Sequence, residues 1–238
     1  MRKIVLSLII VIFIISCKEE APSTKNFVLT GNIKGLKEGK LYIQRIKDTI
    51  LIPIDSITIS GDSNFKSEFD LDSPEMLYLF LDRGVTNSLD NNIPFFAEPG
   101  KMNIETSLDF FTADVKITGS KNQELYDEYK KVISRYVDKD LDLITKRFEA
   151  LKNKNSKEIE EIQKKQDAIK RSKYLYTANF AVNHPDAEVA PYVTLAEIYD
   201  INFKFLDTIQ KTMTPRVAKT LYGKKFMEYY LERKKMEK

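Results

Sequence analysis

The sequence predicts an α+β protein in which an N-terminal antiparallel β-sandwich or barrel is followed by a C-terminal all-α domain. Apolar and polar residues alternate in short segments between residues 27 and 119. After residue 119 the apolar residues recur at helical spacing instead. The composition, 42% hydrophobic and 31% charged, is typical of a globular chain and not of a disordered one.

Seven or eight short strands are expected in the first half, a number typical of a sandwich or barrel. Alternating or β-branched segments place them at 27–33, 41–46, 50–59, 65–69, 76–82, 93–98, 102–106 and 115–118. Pro53 lies inside the third segment and predicts an edge strand or a bulge there. The polar segment from Arg83 to Asn92 predicts a long loop, the kind of segment where binding functions often lie.

Helices are expected in the second half. Ser120 is placed to cap the first one, whose apolar residues are Leu125, Tyr129, Val132, Tyr136, Leu141, Ile144, Phe148 and Leu151. Further helices are predicted at 157–183, which Pro185 ends, at 186–199, and from Thr214-Pro215 onward. Most tyrosines of this half are expected to line the interhelical core with their hydroxyls reaching solvent: Tyr174, Tyr176, Tyr192, Tyr199, Tyr229 and Tyr230.

The first residues have the pattern of a bacterial lipoprotein signal. Arg2 and Lys3 precede an aliphatic run, Ile4 to Ile15, that is too short to span a bilayer. The run ends in Ile14-Ile15-Ser16-Cys17, which looks like a lipobox with Cys17 as the lipidation site. The predicted divisions are therefore a signal peptide at 1–16, a lipidated tether at 17–25, a β domain at 26–119 and a helical domain at 120–238.

The predicted lipid makes a membrane the first expected partner, since two or three acyl chains anchor a protein essentially permanently. Lys18-Glu19-Glu20 resembles a signal that sends some lipoproteins of Gram-negative bacteria to the cell surface. We therefore expect anchoring in the outer membrane, on either its periplasmic or its surface-exposed face.

Composition excludes several functions. Basic and acidic residues number 38 and 35, a balance that argues against nucleic acid as a partner. Cys17 is the only cysteine and His184 the only histidine of the sequence, so a CxxC pair and a multi-histidine metal site are excluded. We predict no catalytic residue, no cofactor and no metal ligand.

Three weak candidate sites have structural explanations. Asp138, Asp140, Asp142 and Glu149 have the spacing of a calcium-binding EF-hand loop, but Leu143 replaces the required glycine, which favours an exposed helix face. His184 precedes Pro185 and is interpreted as a helix boundary. Asp55-Ser56 could suggest a nucleophile, but a turn or bulge is the simpler interpretation.

Several motifs resemble the N-terminal domain of unknown function found in thiol-disulfide interchange lipoproteins related to the thioredoxins of cytochrome maturation. They are Phe27-x-Leu29-x-Gly31-x-Ile33, Gly39-Lys40-Leu41-Tyr42, Asp55-Ser56 with Asn64-Phe65, Phe95-Phe96-x-Glu98-x-Gly100, Thr118-Gly119-Ser120-x-Asn122, Phe180-x-x-Asn183-His184-Pro185-x-x-x-Val189-Ala190, Leu206-Asp207-Thr208 and Tyr222-Gly223-Lys224.

In those relatives a thioredoxin domain with a CxxC pair follows near the position of Lys238. Because Cys17 is expected to carry lipid, no thiol-disulfide activity is expected from this sequence. We predict a non-catalytic envelope protein that binds or interacts with a protein partner. The alternative is an accessory subunit of an oxidoreductase whose thioredoxin domain is a separate chain. Glycan binding is a weaker option, since tryptophan is absent.

Overall fold

Two β-sheets followed by helices make up the computed structural model, which describes residues 24–84 and 89–237. The strands are β1 (Phe27–Lys34), β2 (Glu38–Lys47), β3 (Ile50–Ser60), β4 (Asn64–Phe69), β5 (Glu75–Asp82), β6 (Asn92–Ala97), β7 (Gly100–Ser107) and β8 (Lys116–Thr118). The helices are α1 (Lys121–Lys152), α2 (Ser156–Asn183), α3 (Val189–Glu197), α4 (Phe203–Thr212), α5 (Pro215–Ala218) and α6 (Leu221–Met236). The predicted α+β class and the order of its two halves are confirmed.

The strands form a sandwich, which decides between the two predicted β architectures. One sheet has the order β4-β1-β7-β8 and the other β3-β2-β5-β6. All neighbouring strands are antiparallel except β1 and β7, which run parallel from the pair Phe27 and Gly100 onward. Parallel pairing is possible there because the chain passes through the whole second sheet between the two strands.

The inward residues of both sheets share one apolar core, as the alternation predicts. Phe27, Leu29 and Ile33 of β1 are fully buried in it. Gly31 interrupts this row because a Cβ at that position would lie 2.4 Å from the Phe65 ring and 2.2 Å from the Ile104 carbonyl oxygen. A glycine is therefore required where β1 meets β7 and β4.

β3 is an edge strand with a bulge, so both expectations from Pro53 are confirmed. Ile43 pairs with Asp55 and Gln44 with Pro53, which leaves Ile54 without an opposite residue. Proline is tolerated at such a position because its missing N–H is not needed by a neighbouring strand.

The helices cover the outer face of the second sheet. Met76 and Phe96 point away from the sandwich core and pack in a second cluster with Leu125, Tyr129 and Phe180. A third cluster, with Leu206, Ile209 and Phe226 among its members, joins the later helices. The two halves of the chain thus meet over an extended apolar contact.

The last helices differ from their predicted limits. The expected helix at 186–199 begins only at Val189, because a turn closed by the Ala187 N–H on the His184 carbonyl precedes it. α4 was not predicted, and it begins where the Asn202 side chain accepts the Lys204 N–H at 3.0 Å. Thr214-Pro215 opens only the short α5, and α6 starts separately after Thr220.

α1 and α2 form a long helical hairpin whose distal part extends past the sandwich. The first half of α1 packs on the second sheet through Leu125 and Tyr129. The buried α1 residues beyond Tyr136 are Leu143 and Ala150, and these pack with Ile162 of α2. The predicted apolar face therefore continues past the surface that could bury it.

The described chain begins at the end of the molecule opposite the tip of this hairpin. Close to the start of β5, the Asn26 side-chain amide donates to the Leu71 carbonyl at 3.0 Å, and the Asn26 side-chain oxygen accepts the Leu71 N–H at 2.7 Å. The first residue of α1, Lys121, is bonded to Glu98 just after the end of β6, and the helix then passes beside Ile93 and Pro94 at the start of that strand. α1 thus runs from the N-terminal end of the sandwich toward the opposite end, and its turn into α2 lies beyond it.

Candidate functional site: the sandwich-helix cleft and the exposed helical face

A buried polar cluster joins the sandwich to the first turn of α1. The Glu98 carboxylate accepts the backbone N–H groups of Lys121 at 3.0 Å and Asn122 at 3.1 Å, and the Asn122 side-chain amide at 2.8 Å. The N-terminus of a helix leaves its first N–H groups without partners and carries partial positive charge, so it favours a carboxylate. Glu98 therefore anchors α1 to the turn between β6 and β7.

Asn122 extends this cluster to α3. Its amide nitrogen also donates to Glu188 at 2.9 Å, and its oxygen accepts the Val189 N–H at 2.9 Å. Arg216 of α5 donates to the other oxygen of Glu188 and to the Asp186 carbonyl. The Glu188 side chain is only 3% exposed, and such a buried carboxylate needs this pairing.

A surface cleft of about 500 Å³ lies over this cluster, with Pro74, Pro99 and His184 also on its walls. A second cleft of about 520 Å³ shares Pro74, Pro99, Glu188 and Arg216 with the first and adds Lys219 and Lys224. Two of the carboxylates that line the first cleft, those of Glu98 and Glu188, already accept hydrogen bonds from the chain itself. This arrangement fastens α1, α3 and α5 to the sandwich, which is a structural role.

A tyrosine cluster fills the adjacent space between the second sheet and the helices. Tyr192 stacks edge-on against Phe96 at 5.6 Å, and the Tyr222 hydroxyl accepts the Met76 N–H at 3.0 Å. Burial raises the pKa of both hydroxyls. The prediction that most of these tyrosines line the interhelical core is confirmed, for example by Tyr192 and by Tyr230, whose hydroxyl donates to Asp207 at 2.8 Å. Tyr199 is exposed and belongs to the minority outside the core.

The three weak candidates take structural positions. His184 is the C-terminal cap of α2, and its ring lies 4.5 Å from the Phe180 ring. Asp55 accepts the Ser56 N–H at 2.8 Å and the Ser67 hydroxyl, beside the bulge of β3. Both interpretations are confirmed as local structure.

The EF-hand spacing lies on unbroken helix, as the apolar pattern indicated. Residues 138–149 all belong to α1, Leu143 is buried, and Asp140 accepts the Gln166 side-chain amide at 2.9 Å. In residues 24–84 and 89–237, no group of three or more His, Cys, Asp or Glu side chains is arranged to hold a metal ion.

Two other expectations fall partly or wholly outside the described residues. Cys17 and the tether up to residue 23 lie there, and so do residues 85–88 of the loop between Arg83 and Asn92. Within the described part of the chain, no helix has the length and hydropathy needed to cross a membrane.

An exposed apolar face on α1 is the main surface feature that lies outside the cleft. Four exposed residues and the half-buried Ile144 form it, and we call the five the exposed stripe: Val137, Leu141, Ile144, Phe148 and Leu151. Phe148 is 68% and Leu141 55% exposed, although both are large apolar side chains. A groove of about 490 Å³ between α1 and α2 continues this face through Tyr136 and Ile169. Contiguous exposed apolar surface marks interaction sites in soluble proteins.

The sequence pattern predicted four of the five stripe residues, all but Val137, and it did not predict the polar cluster. The residues carrying the resemblance do converge on the cluster, since Glu98, Ser120, Asn122 and Val189 all take part in it or cap the helix beside it. Ser120 accepts the Gln123 N–H at 3.0 Å, as its predicted capping role requires. These motif residues therefore form part of the joint between the two halves of the chain.

Comparison with known proteins identifies the first half of the chain. No curated protein and no solved structure matches the chain significantly. A family model described as a domain of unknown function, DUF4369, matches residues 27–126. The expected N-terminal domain of unknown function is confirmed by this match, which runs from β1 to the second turn of α1.

Proposed function

We propose that this protein is an exported, lipid-anchored envelope protein that acts as a non-catalytic interaction module through the exposed stripe of α1. The observation that carries the proposal is the burial pattern of α1. Its first half is covered by the sandwich, whereas Val137, Leu141 and Phe148 face solvent on the same helix. Leaving such side chains exposed costs solubility, so their presence favours a partner that covers them.

The position of the N-terminus indicates which end of the protein would lie near the membrane. Cys17 lies seven residues before Thr24, the first described residue, so the connecting chain reaches at most ~25 Å. The end of the sandwich near Asn26 and Leu71 would therefore lie close to the anchoring membrane. The turn from α1 to α2 lies at the opposite end of the protein, where envelope partners have access to it.

The anchor is tested by labelling the native protein with an alkyne fatty acid and fractionating the membranes. We expect label in wild type, and neither label nor membrane association in Cys17→Ser. Protease treatment of intact cells then separates the two faces of the outer membrane, because only a surface-exposed protein is digested before permeabilisation. An unlabelled wild-type protein would refute the anchor.

The interaction surface is tested with a photo-crosslinking amino acid at Phe148 in living cells. Lys146 provides the matched control position, because it lies two residues away on the same helix and is exposed. We expect crosslinks from position 148 and not from 146. A crosslinked protein with a CxxC pair would favour the accessory role that the resemblance implies, and equal labelling from both positions would contradict a specific surface.

A further inference from the structure

We propose that the partner covering the exposed stripe is a second copy of this chain, packed antiparallel along α1. The inference rests on the proposed function, because it names the occupant of the same surface. The stripe residues follow one another at intervals of four, three, four and three. This is the heptad spacing of a coiled-coil seam, in which each apolar side chain fits between residues of a facing helix. No described helix of the same chain covers it.

Charges beside the seam change sign along the helix. Asp140 and Arg147 are seven residues apart, which is one heptad, so both lie on the same side of the stripe. Asp138 and Lys152 occupy equivalent positions on the other side. The seam is thus bordered by acidic residues toward the start of α1 and by basic residues toward its end.

This change of sign favours the antiparallel direction. A parallel pair in register would place Arg147 beside Lys152 of the second copy, which is repulsive. An antiparallel pair places Asp140 of each copy beside Arg147 of the other, which gives two attractive contacts related by two-fold symmetry. The charge pattern therefore selects one arrangement.

The apolar layers of the same register are complementary in size. The two apolar positions of a heptad are called a and d; Leu141 and Phe148 are at a, and Val137 and Ile144 are at d. In an antiparallel pair each a residue faces a d residue of the other helix. Val137 therefore meets Phe148 of the second copy, and Leu141 meets its Ile144. The largest side chain of the stripe thus opposes the smallest, which fills a layer evenly. Each layer occurs twice, so all four of these residues become covered in both copies.

The groove between α1 and α2 borders the position that the second helix would take on the stripe. Asp140 and Arg147 both line the space of about 490 Å³ between α1 and α2, so a helix on the stripe also contacts α2. Two helical hairpins packed in this way form a four-helix bundle. The two N-terminal ends are then ~60 Å apart along the bundle, given the rise of 1.5 Å per helical residue, so both lipid anchors reach one membrane when the bundle lies along the membrane surface.

Charge reversal tests the register without changing the apolar surface. The full lipidated protein is studied in density-matched detergent by sedimentation equilibrium, as wild type and as Asp140→Arg, Arg147→Asp and the double variant. We expect a wild-type dimer and a dissociation constant at least ~10-fold higher in each single variant, because both contacts become repulsive. The double variant and an equimolar mixture of the two single variants should both regain wild-type affinity.

The mixture is the decisive measurement. Asp140 and Arg147 are seven residues apart on one helix, ~10 Å along its axis, so restoration between chains cannot come from a contact within one chain. Lys146→Asp is the matched control: it makes the same charge change as Arg147→Asp, points away from the seam, and should leave the dissociation constant unchanged.

Failure of this inference differs from failure of the proposed function. A wild-type protein that is monomeric throughout the accessible concentration range, or single variants whose mixture does not restore affinity, would overturn the antiparallel dimer. If position 148 then still crosslinks a different protein in cells, the interaction function stands with another occupant. If position 148 gives no more crosslinks than position 146, the interaction surface itself is wrong.

Discussion

The side-chain oxygen of Gln123 accepts the backbone N–H of Phe96 at 2.6 Å. Phe96 lies on β6, the edge strand of the second sheet. An edge strand has a row of backbone groups without a neighbouring strand, and such groups must be paired when they are buried. Gln123, which is itself buried in the first turn of α1, provides one partner. The start of the helical half thus completes the hydrogen bonding of the sandwich.

Replacing Gln123 by alanine should therefore destabilise the whole protein. The change leaves the Phe96 N–H buried without a partner, which costs about 1–3 kcal/mol in free energy of unfolding. It also removes the bond of 2.9 Å from the Gln123 amide to Asp127. Urea unfolding at neutral pH measures the loss.

Gln163→Ala is the matched control for this experiment. Gln163 is an exposed residue of α2 that also bonds to an aspartate four residues later, Asp167, at 3.0 Å. We expect a change within about 0.5 kcal/mol, because the partner stays in contact with water. Equal effects of the two substitutions would show that the Phe96 contact contributes nothing to stability.

Asn122→Asp should be destabilising at neutral pH and less so in acid. The substitution keeps the size of the side chain but places a carboxylate between Glu98 and Glu188, to which Asn122 now donates. Repulsion and burial raise the pKa of the introduced group above its unfolded value, so folding takes up a proton. Its stability cost is therefore greatest well above the folded-state pKa and decreases as the pH falls.

Comparison with wild type at each pH isolates this effect from general acid unfolding. We expect a difference of about 3 kcal/mol near pH 7. The difference should decrease as the pH falls toward the unfolded pKa of an aspartate, about 3.9. A difference that is independent of pH would mean that the lost hydrogen bonds, and not the added charge, account for the destabilisation.

Local sequence patterns predicted the strands of this fold well, but they did not predict contacts between residues that are distant in the sequence. Each strand of the sandwich was placed within a few residues, because alternation reports which side chains face a core. Asn122 and Glu188 are separated by 66 positions, and no periodicity connects them. Polar partners at such a distance depend on the packing of the finished fold.

The exposed stripe shows a second limit of prediction from sequence, which concerns burial. The helical spacing from Leu141 to Leu151 predicts an apolar helix face, which is correct. It does not report whether anything in the same chain covers that face. α2 packs on a different side of α1, through Leu143 and Ala150, so the predicted face stays exposed.

Gly223→Ala should destabilise the protein although alanine is the better helix former. In an unobstructed helix the change would stabilise by up to about 1 kcal/mol. At Gly223 the added Cβ would lie 1.9 Å from the Val217 carbonyl oxygen, which is backbone and cannot rotate away. α5 and α6 would have to separate, so thermal unfolding should occur at a lower temperature. Lys224→Ala, on the exposed next position, should leave the midpoint nearly unchanged.

Alkaline unfolding should begin just above pH 10. Burial raises the pKa of five tyrosines that pack between sheet and helices: Tyr78, Tyr126, Tyr129, Tyr192 and Tyr222. In the unfolded chain these groups titrate near 10.0, so above that pH the unfolded state has lost protons that the folded state keeps. Each tyrosine then removes about 1.4 kcal/mol of stability per pH unit until its folded pKa is reached.

Tyrosinate absorbance and urea unfolding, followed from about pH 9 to about pH 11, measure the two sides of this linkage. Tyrosinate should form in the folded protein only as it unfolds, because ionisation inside the cluster is unfavourable. Tyr129→Phe should reduce the slope of stability against pH, although it also removes the bond of 2.8 Å to Thr177. Tyr199→Phe should leave the slope unchanged, because Tyr199 is 58% exposed and lies outside the cluster. Equal slopes for Tyr129→Phe and wild type would place the alkaline transition outside this cluster.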